Sequence, residues 1–207
     1  MYAVFSYEQI EANERRLNEY HIVVLLFVRP SVPGAQSIIK EFSYLHHNAK
    51  RYCSVYAVGY TNDPERFKSP VSVDGVDSEK WYYSDEEFVE FKRRLEKRIK
   101  WKYSGENELL VLKSNPLGAS VLNFQNYVAI NINEGLRKEY ISSYSSFMEK
   151  LIEASRSYTD ARGAVGKASR LSVRQLTELA IKESKRLPGP IREVLKNRLF
   201  FKTSRAR

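Results

Sequence analysis

At 207 residues, with 43% apolar and 13% aromatic side chains, the chain can bury a core of roughly 150 residues, and its composition excludes global disorder. A single cysteine excludes an internal disulfide and fits a reducing compartment, and no run has the length of a membrane span or the pattern of a signal peptide, so a cytoplasmic protein without a membrane contact is expected. The formal charge of +9 sits at one end: residues 156 to 207 hold 14 Lys and Arg against 4 Asp and Glu, whereas residues 1 to 155 hold 20 against 21.

Tyr2 to Phe5 reads as a short strand. Ser6 followed by Gln9 has the spacing of a capping box and predicts a helix from Tyr7, with Ile10, Leu17 and Ala12 on a thin apolar face and Glu11, Glu14, Arg15 and Arg16 in water. His21 to Val28 is an uninterrupted β-branched and aromatic run, the pattern of a central strand covered on both faces. The turn Arg29-Pro30-Ser31-Val32-Pro33-Gly34 follows, because each proline lacks a donor and fixes its own φ. A helix from Ala35 has Ile38, Ile39, Phe42 and Leu45 at helical spacing, and Ser54 to Tyr60 is a second apolar strand stopped by Asn62, Asp63 and Pro64. Strand, crossover helix and strand of these lengths predict a parallel, right-handed unit.

Residues 65 to 84 read as a long, partly packed connection with room for a short strand. Ser84 with Glu87 repeats the capping-box spacing and starts a helix expected to reach Tyr103, with Phe88, Phe91, Leu95, Ile99 and Lys102 on its stripe. The cations around that stripe, Lys92, Arg93, Arg94, Lys97, Arg98 and Lys100, read as a solvated face, with contact to an anionic partner as the competing reading. Gly105 ends the helix. Glu108 to Lys113 and Tyr127 to Ile132 are strands close enough to pair antiparallel, and a helix from Leu136 to Ser155 has Tyr140, Tyr144, Phe147, Leu151 and Ile152 inside.

This order of elements over residues 3 to 155 resembles the thioredoxin-like family: a short strand and capped helix, a βαβ unit, a helix, an antiparallel pair and a closing helix. The expected fold is α/β, a thioredoxin-like mixed sheet flanked by helices, with a basic helical C-terminal tail. The family carries a Cys-Gly-Pro-Cys motif after its central strand, where this chain has Ser31, Val32, Pro33 and Gly34, and a cis-proline before its third sheet strand, where this chain has Asn107. The resemblance therefore implies a redox-inactive member. A peroxidase-type relative would need a cysteine in the first turn of the helix, where Ala35, Gln36 and Ser37 stand. A glutathione-transferase-like chain would need a larger helical domain after Ser155.

The remaining reactive side chains point to no chemistry. Cys53 reads as a buried inert thiol, His21 as the opening of a strand, and His46 and His47 diverge on a helix, so no metal site and no cofactor is expected. Arg29 and Ser31 could hold an anion at a helix N-terminus, although a structural turn is the simpler reading. No phosphate loop or zinc spacing is present.

The chain divides into a domain of residues 1–155, a flexible basic linker of 156–171 and a basic helical tail of 172–207. Tail residues Leu176, Leu179, Ile191, Leu195, Leu199 and Phe200 form apolar faces too small to bury themselves, and so predict docking to a protein partner or a second protomer. Arg174, Lys182, Lys185, Arg186, Arg192, Lys196 and Arg198 supply the competing reading, nucleic-acid binding through phosphate contacts. An enzyme with unrecognised chemistry is the third.

Overall fold

A computed structural model describes residues 1–49, 52–157 and 160–168 and the backbone of 201–203. Strand β1 (Tyr2–Val4) leads into helix α1 (Tyr7–Leu17), which starts where the capping box predicts: Ser6 Oγ accepts from Gln9 N, and Gln9 Oε1 accepts from Ser6 N. Its buried face differs from expectation. Tyr7, Ile10 and Glu14 turn inward, while Ala12 and Leu17 are exposed.

Strand β2 (Ile22–Phe27) is buried along its whole length, as its unbroken apolar run predicts. The crossover after it is two helices, α2 (Ala35–Ile39) and α3 (Phe42–Ala49), where one was expected. The break is a tightening of the ladder, since Glu41 N bonds the Ile38 carbonyl at 3.1 Å before Leu45 N resumes the α pattern on Glu41 O. Strand β3 (Cys53–Val58) returns parallel to β2, with Val24 opposite Val55, and β1 pairs parallel on its far side.

The expected strand Ser54–Tyr60 is divided at Gly59, whose φ of 87° is a left-handed conformation that glycine adopts without strain. That turn moves the chain into a second sheet. Strands β4 (Tyr60–Thr61), β5 (Val71–Asp74) and β6 (Lys80–Tyr83) pair antiparallel in the order β4-β6-β5. Residues 65 to 84 are thus a built layer, held by the buried rings of Tyr60, Trp81 and Tyr83 against Phe42.

Helix α4 (Asp85–Arg98) is capped by Ser84 and stops short of Tyr103. Ile99 is extended, and the chain leaves the helix so that Trp101 can pack on Phe27 at 4.7 Å between ring centroids; Lys102, expected on the buried stripe, is exposed. Strands β7 (Glu108–Lys113) and β8 (Val128–Asn131) form the predicted antiparallel pair, and β7 also runs antiparallel to β2. The expected helix Leu136–Ser155 is two: α5 (Ile132–Arg137), capped by Asn131, and α6 (Tyr144–Ser155), capped by Ser143, with Glu139 at φ 58° between them.

Helix α7 (Ala161–Ala168) lies in the stretch expected as a flexible linker, and its Ala161, Ala164, Val165 and Ala168 are buried. Small side chains let it approach closely, and it packs on α6 and on β7 and β8. Strand β9 (Phe201–Thr203) pairs antiparallel with β8. The other residues of the expected helical tail lie outside the described residues.

The main sheet has the order β1-β3-β2-β7-β8-β9 and is mixed, with helices on both faces. Odd-numbered positions of β2 look towards α1 and α4, as the Phe27 contacts with Phe88 and Phe91 record. Even-numbered positions share the opposite face with Cys53, which lies beside Ser155 of α6. Among the described residues no helix is long and apolar enough to cross a membrane.

Candidate functional site

The turn after β2 is the place where a thioredoxin-like chain would carry its reactive pair. Val32 N bonds Arg29 O at 2.9 Å and Ala35 N bonds Val32 O at 3.0 Å, which closes the turn around its two prolines. Gly34 precedes α2 with φ 82°, and Ser31, Pro33 and Gly34 are exposed while Val32 is half-buried. The turn is fastened from behind. Asn107, fully buried just before β7, donates Nδ2 to Pro33 O at 2.9 Å, and Asn133 in the first turn of α5 donates Nδ2 to the same carbonyl at 3.3 Å. The two amides also meet each other at 3.1 Å. Asn107 Oδ1 has no hydrogen-bond partner among the described residues.

Beside the turn, Arg29 reaches Asp85 at the start of α4, with Nη2 2.6 Å and Nε 2.9 Å from Oδ1, and Tyr83 OH donates to the same oxygen at 2.9 Å. Burial works to lower the Arg29 pKa, but the bond and charge of Asp85 outweigh it and the guanidinium is held more firmly protonated than usual. Tyr83 is pushed up by burial and then by donating to Asp85. The cation is therefore neutralised by a neighbour and is not a free anion receptor.

At the opposite end of β2 lies a buried polar cluster. Glu14 has no exposed surface, and its Oε1 accepts from Tyr56 OH at 2.6 Å. His21 Nε2 lies 3.2 Å from Glu14 Oε2 and 2.8 Å from Ser54 Oγ. Burial would raise the Glu14 pKa, but the His21 contact and charge, with the Ser114 and Tyr56 hydroxyls, outweigh it and hold the carboxyl below its ordinary value. Both the serine and the carboxylate meet one ring nitrogen of His21, so the three cannot relay a proton as a nucleophile, base and orienting acid would. The cluster balances a buried carboxylate with one hydrogen bond from Tyr56 and the nearby His21 ring.

Cys53 is at this end too, 1% exposed, with burial pushing its thiol up to about 12 despite the nearby Ser155 hydroxyl. It is opposite Ile22 on β2, and at about 3.3 Å per residue the reactive-turn position is roughly 20 Å away. His46 and His47 place their rings at 89° to each other, and among the described residues no group of His, Cys, Asp and Glu could hold a metal ion.

The expected tail contacts Arg174, Lys182, Lys185, Arg186, Arg192, Lys196 and Arg198, and the expected docking face Leu176, Leu179, Ile191, Leu195, Leu199 and Phe200, lie outside the described residues. Sequence reasoning missed Glu14, Asp85, Asn107 and Asn133 as contact-making residues. For Glu14 a signal existed: Tyr7, Ile10 and Glu14 recur at helical spacing, so the carboxylate shares the buried face. Comparisons of the chain with protein-family models, with curated proteins and with solved structures found no match.

Proposed function

We propose that this is a redox-inactive thioredoxin-like protein that works through binding, with its basic C-terminal segment docking a protein partner or a second protomer. The carrying observation is the uncharged, thiol-free turn Ser31-Val32-Pro33-Gly34, placed after the central strand and fastened by the buried Asn107 where the family resemblance expects a proline. The parallel trio β1, β3 and β2 with the antiparallel β7 and β8 beside it supports the resemblance. The one cysteine is buried away from that turn with a thiol pushed up to about 12, unsuited to attack at neutral pH. A cytoplasmic location fits the same reading.

The experiment has two arms. Full-length protein and its Cys53→Ser variant are assayed for reduction of a disulfide protein; both are expected at background, and a rate that depends on Cys53 would sink the redox-inactive reading. Sedimentation of the full chain, and of a variant with Lys182, Lys185, Arg186, Arg192, Lys196 and Arg198 changed to Ser, is followed across protein concentration and salt with duplex DNA, single-stranded DNA and RNA present or absent. Association that survives salt and needs no nucleic acid is expected. Binding to nucleic acid that requires those cations and weakens steeply with salt would replace the docking reading with the nucleic-acid one.

A further inference from the structure

A cleft of about 440 Å³ opens between the start of α1, helix α4 and the 3-10 turn Pro64–Arg66. Its volume is in the range of small-molecule sites. Phe5, Tyr7 and Phe91 form an aromatic floor, with Tyr7 and Phe91 buried and Phe5 half-buried. Two guanidinium groups lie over that floor: Arg66 is 4.6 Å from the Phe5 ring centroid and Arg98 is 4.4 Å from the Tyr7 centroid. A guanidinium seated over a ring is held in place by the π face and keeps its N–H donors for another acceptor.

The carboxylates in the cleft are unevenly engaged. Arg94 takes Glu90 at 2.9 Å and Glu8 at 3.6 Å, and Arg93 pairs with Glu90 as well, so those two acids are occupied. Arg66, Lys97 and Arg98 line the same cleft with no close ion pair to a carboxylate among the described residues, Arg98 feeling the charge of Glu8 only at longer range, and Glu87 likewise makes no close ion pair but lies in the field of Arg94. The site thus combines three cations and one carboxylate that stand outside any close ion pair with the guanidinium faces of Arg66 and Arg98 as surfaces for stacking. Exposed cations near a helix end are often only solvated, but these stand around a concave aromatic floor.

We infer that this cleft binds a nucleoside phosphate whose base carries an exocyclic amino group. The phosphate meets Arg66, Lys97 and Arg98 through charge-assisted hydrogen bonds, the base stacks on the guanidinium and aromatic surface, and Glu87 accepts from the amino group. The requirement for both ring and phosphate separates this ligand from an inorganic anion. The need for an amino group opposite Glu87 separates adenine, cytosine and guanine from uracil, which offers only ring N–H donors. The inference stands apart from the reading of the C-terminal segment.

The test titrates the full chain calorimetrically with AMP, CMP, GMP, UMP, cytidine, inorganic phosphate and a short single-stranded oligonucleotide. AMP, CMP or GMP is expected to bind, with cytidine, phosphate and UMP each about tenfold weaker or worse. Arg66→Ala and Arg98→Ala are each expected to weaken CMP about tenfold, Glu87→Gln to remove the preference for CMP over UMP, and Lys102→Ala, whose lysine pairs with Glu96 outside the cleft, to change nothing. Arg66 and Arg98 are exposed, so their loss leaves the core intact, and Arg66→Ala decides the matter should Arg98→Ala alter the melting curve. No binding of AMP, CMP or GMP, equal binding of phosphate alone, binding of the oligonucleotide without the mononucleotides, or binding indifferent to Arg66 and Arg98 would each overturn the inference.

Discussion

The two ends of β2 solve opposite problems. At the His21 end a carboxylate is taken fully out of water, with the Tyr56 hydroxyl donating to one oxygen of Glu14 and the His21 ring 3.2 Å from the other. At the Arg29 end the chain turns in the open, its prolines removing donors, and two side-chain amides are spent holding one backbone carbonyl. A closed end that balances a charge resists change, because removing any partner strands the rest. An open end built on neutral amides presents exposed backbone and side chains to whatever approaches. The contrast places stability at one end of the strand and availability at the other.

The largest test of that contrast is Glu14→Ala. With the acceptor gone, the Tyr56 hydroxyl and the His21 ring are left buried without their shared partner, and urea unfolding is expected to show a loss of about 3 to 5 kcal/mol. A loss below 1 kcal/mol would mean that the cluster is wet. Its pH dependence has a definite sign. The Glu14 pKa is lowered from its ordinary 4.5 in the folded state, so the unfolded chain binds the proton first as pH falls. The stabilisation is complete above about pH 5 and disappears as pH drops through the folded value, and Glu14→Gln is expected to flatten the stability curve in that window.

Gly59→Ala comes next. The glycine has φ 87°, and a Cβ there would stand 2.8 Å from Phe88 Cβ, so about 2 to 3 kcal/mol is expected from backbone and packing together. The damage should be felt at the open end, because Gly59 directs the chain to Tyr83 and Asp85. Asn107→Ala is expected to cost about 1 to 2 kcal/mol, since Asn133 still reaches the Pro33 carbonyl. Hydrogen exchange at Val32 and Ala35 N–H should speed up in that variant; unchanged exchange would show that the prolines alone hold the turn. Arg29→Ala is the smallest, below about 1 kcal/mol in a thermal melt, because both partners of its ion pair are partly exposed.

Those contrasting ends were not equally legible beforehand. The apolar run of β2, the parallel return of β3, the capping box of α1 and the β7–β8 pair follow from the sequence because periodicity and caps are local signals. Residues 65 to 84 read as a connection with room for one short strand because β5 and β6 are only four residues long, and β4 reads as the end of β3; their order comes from rings packed across the molecule. The breaks at Lys40 and between α5 and α6 carry no proline, and the glycine in α5 stands inside the helix. Charge alone assigns Glu14 to water, although its spacing from Ile10 puts it on the covered face. Asn107 was noticed only as a missing proline; that its amide holds Pro33 depends on a contact across 74 residues. Pairings of that kind leave no mark in a local window.

The position of β2 also shapes the birth of the protein. Ile22 finds its antiparallel partner in Lys113, 91 residues later. At roughly 5 to 20 residues per second, a growing chain would hold β2 with one edge bare for about 5 to 18 seconds, even after β3 has docked on the other side. That interval favours mispairing with another nascent strand, and it makes the appearance of β7 at the ribosome the event that ends the hazard.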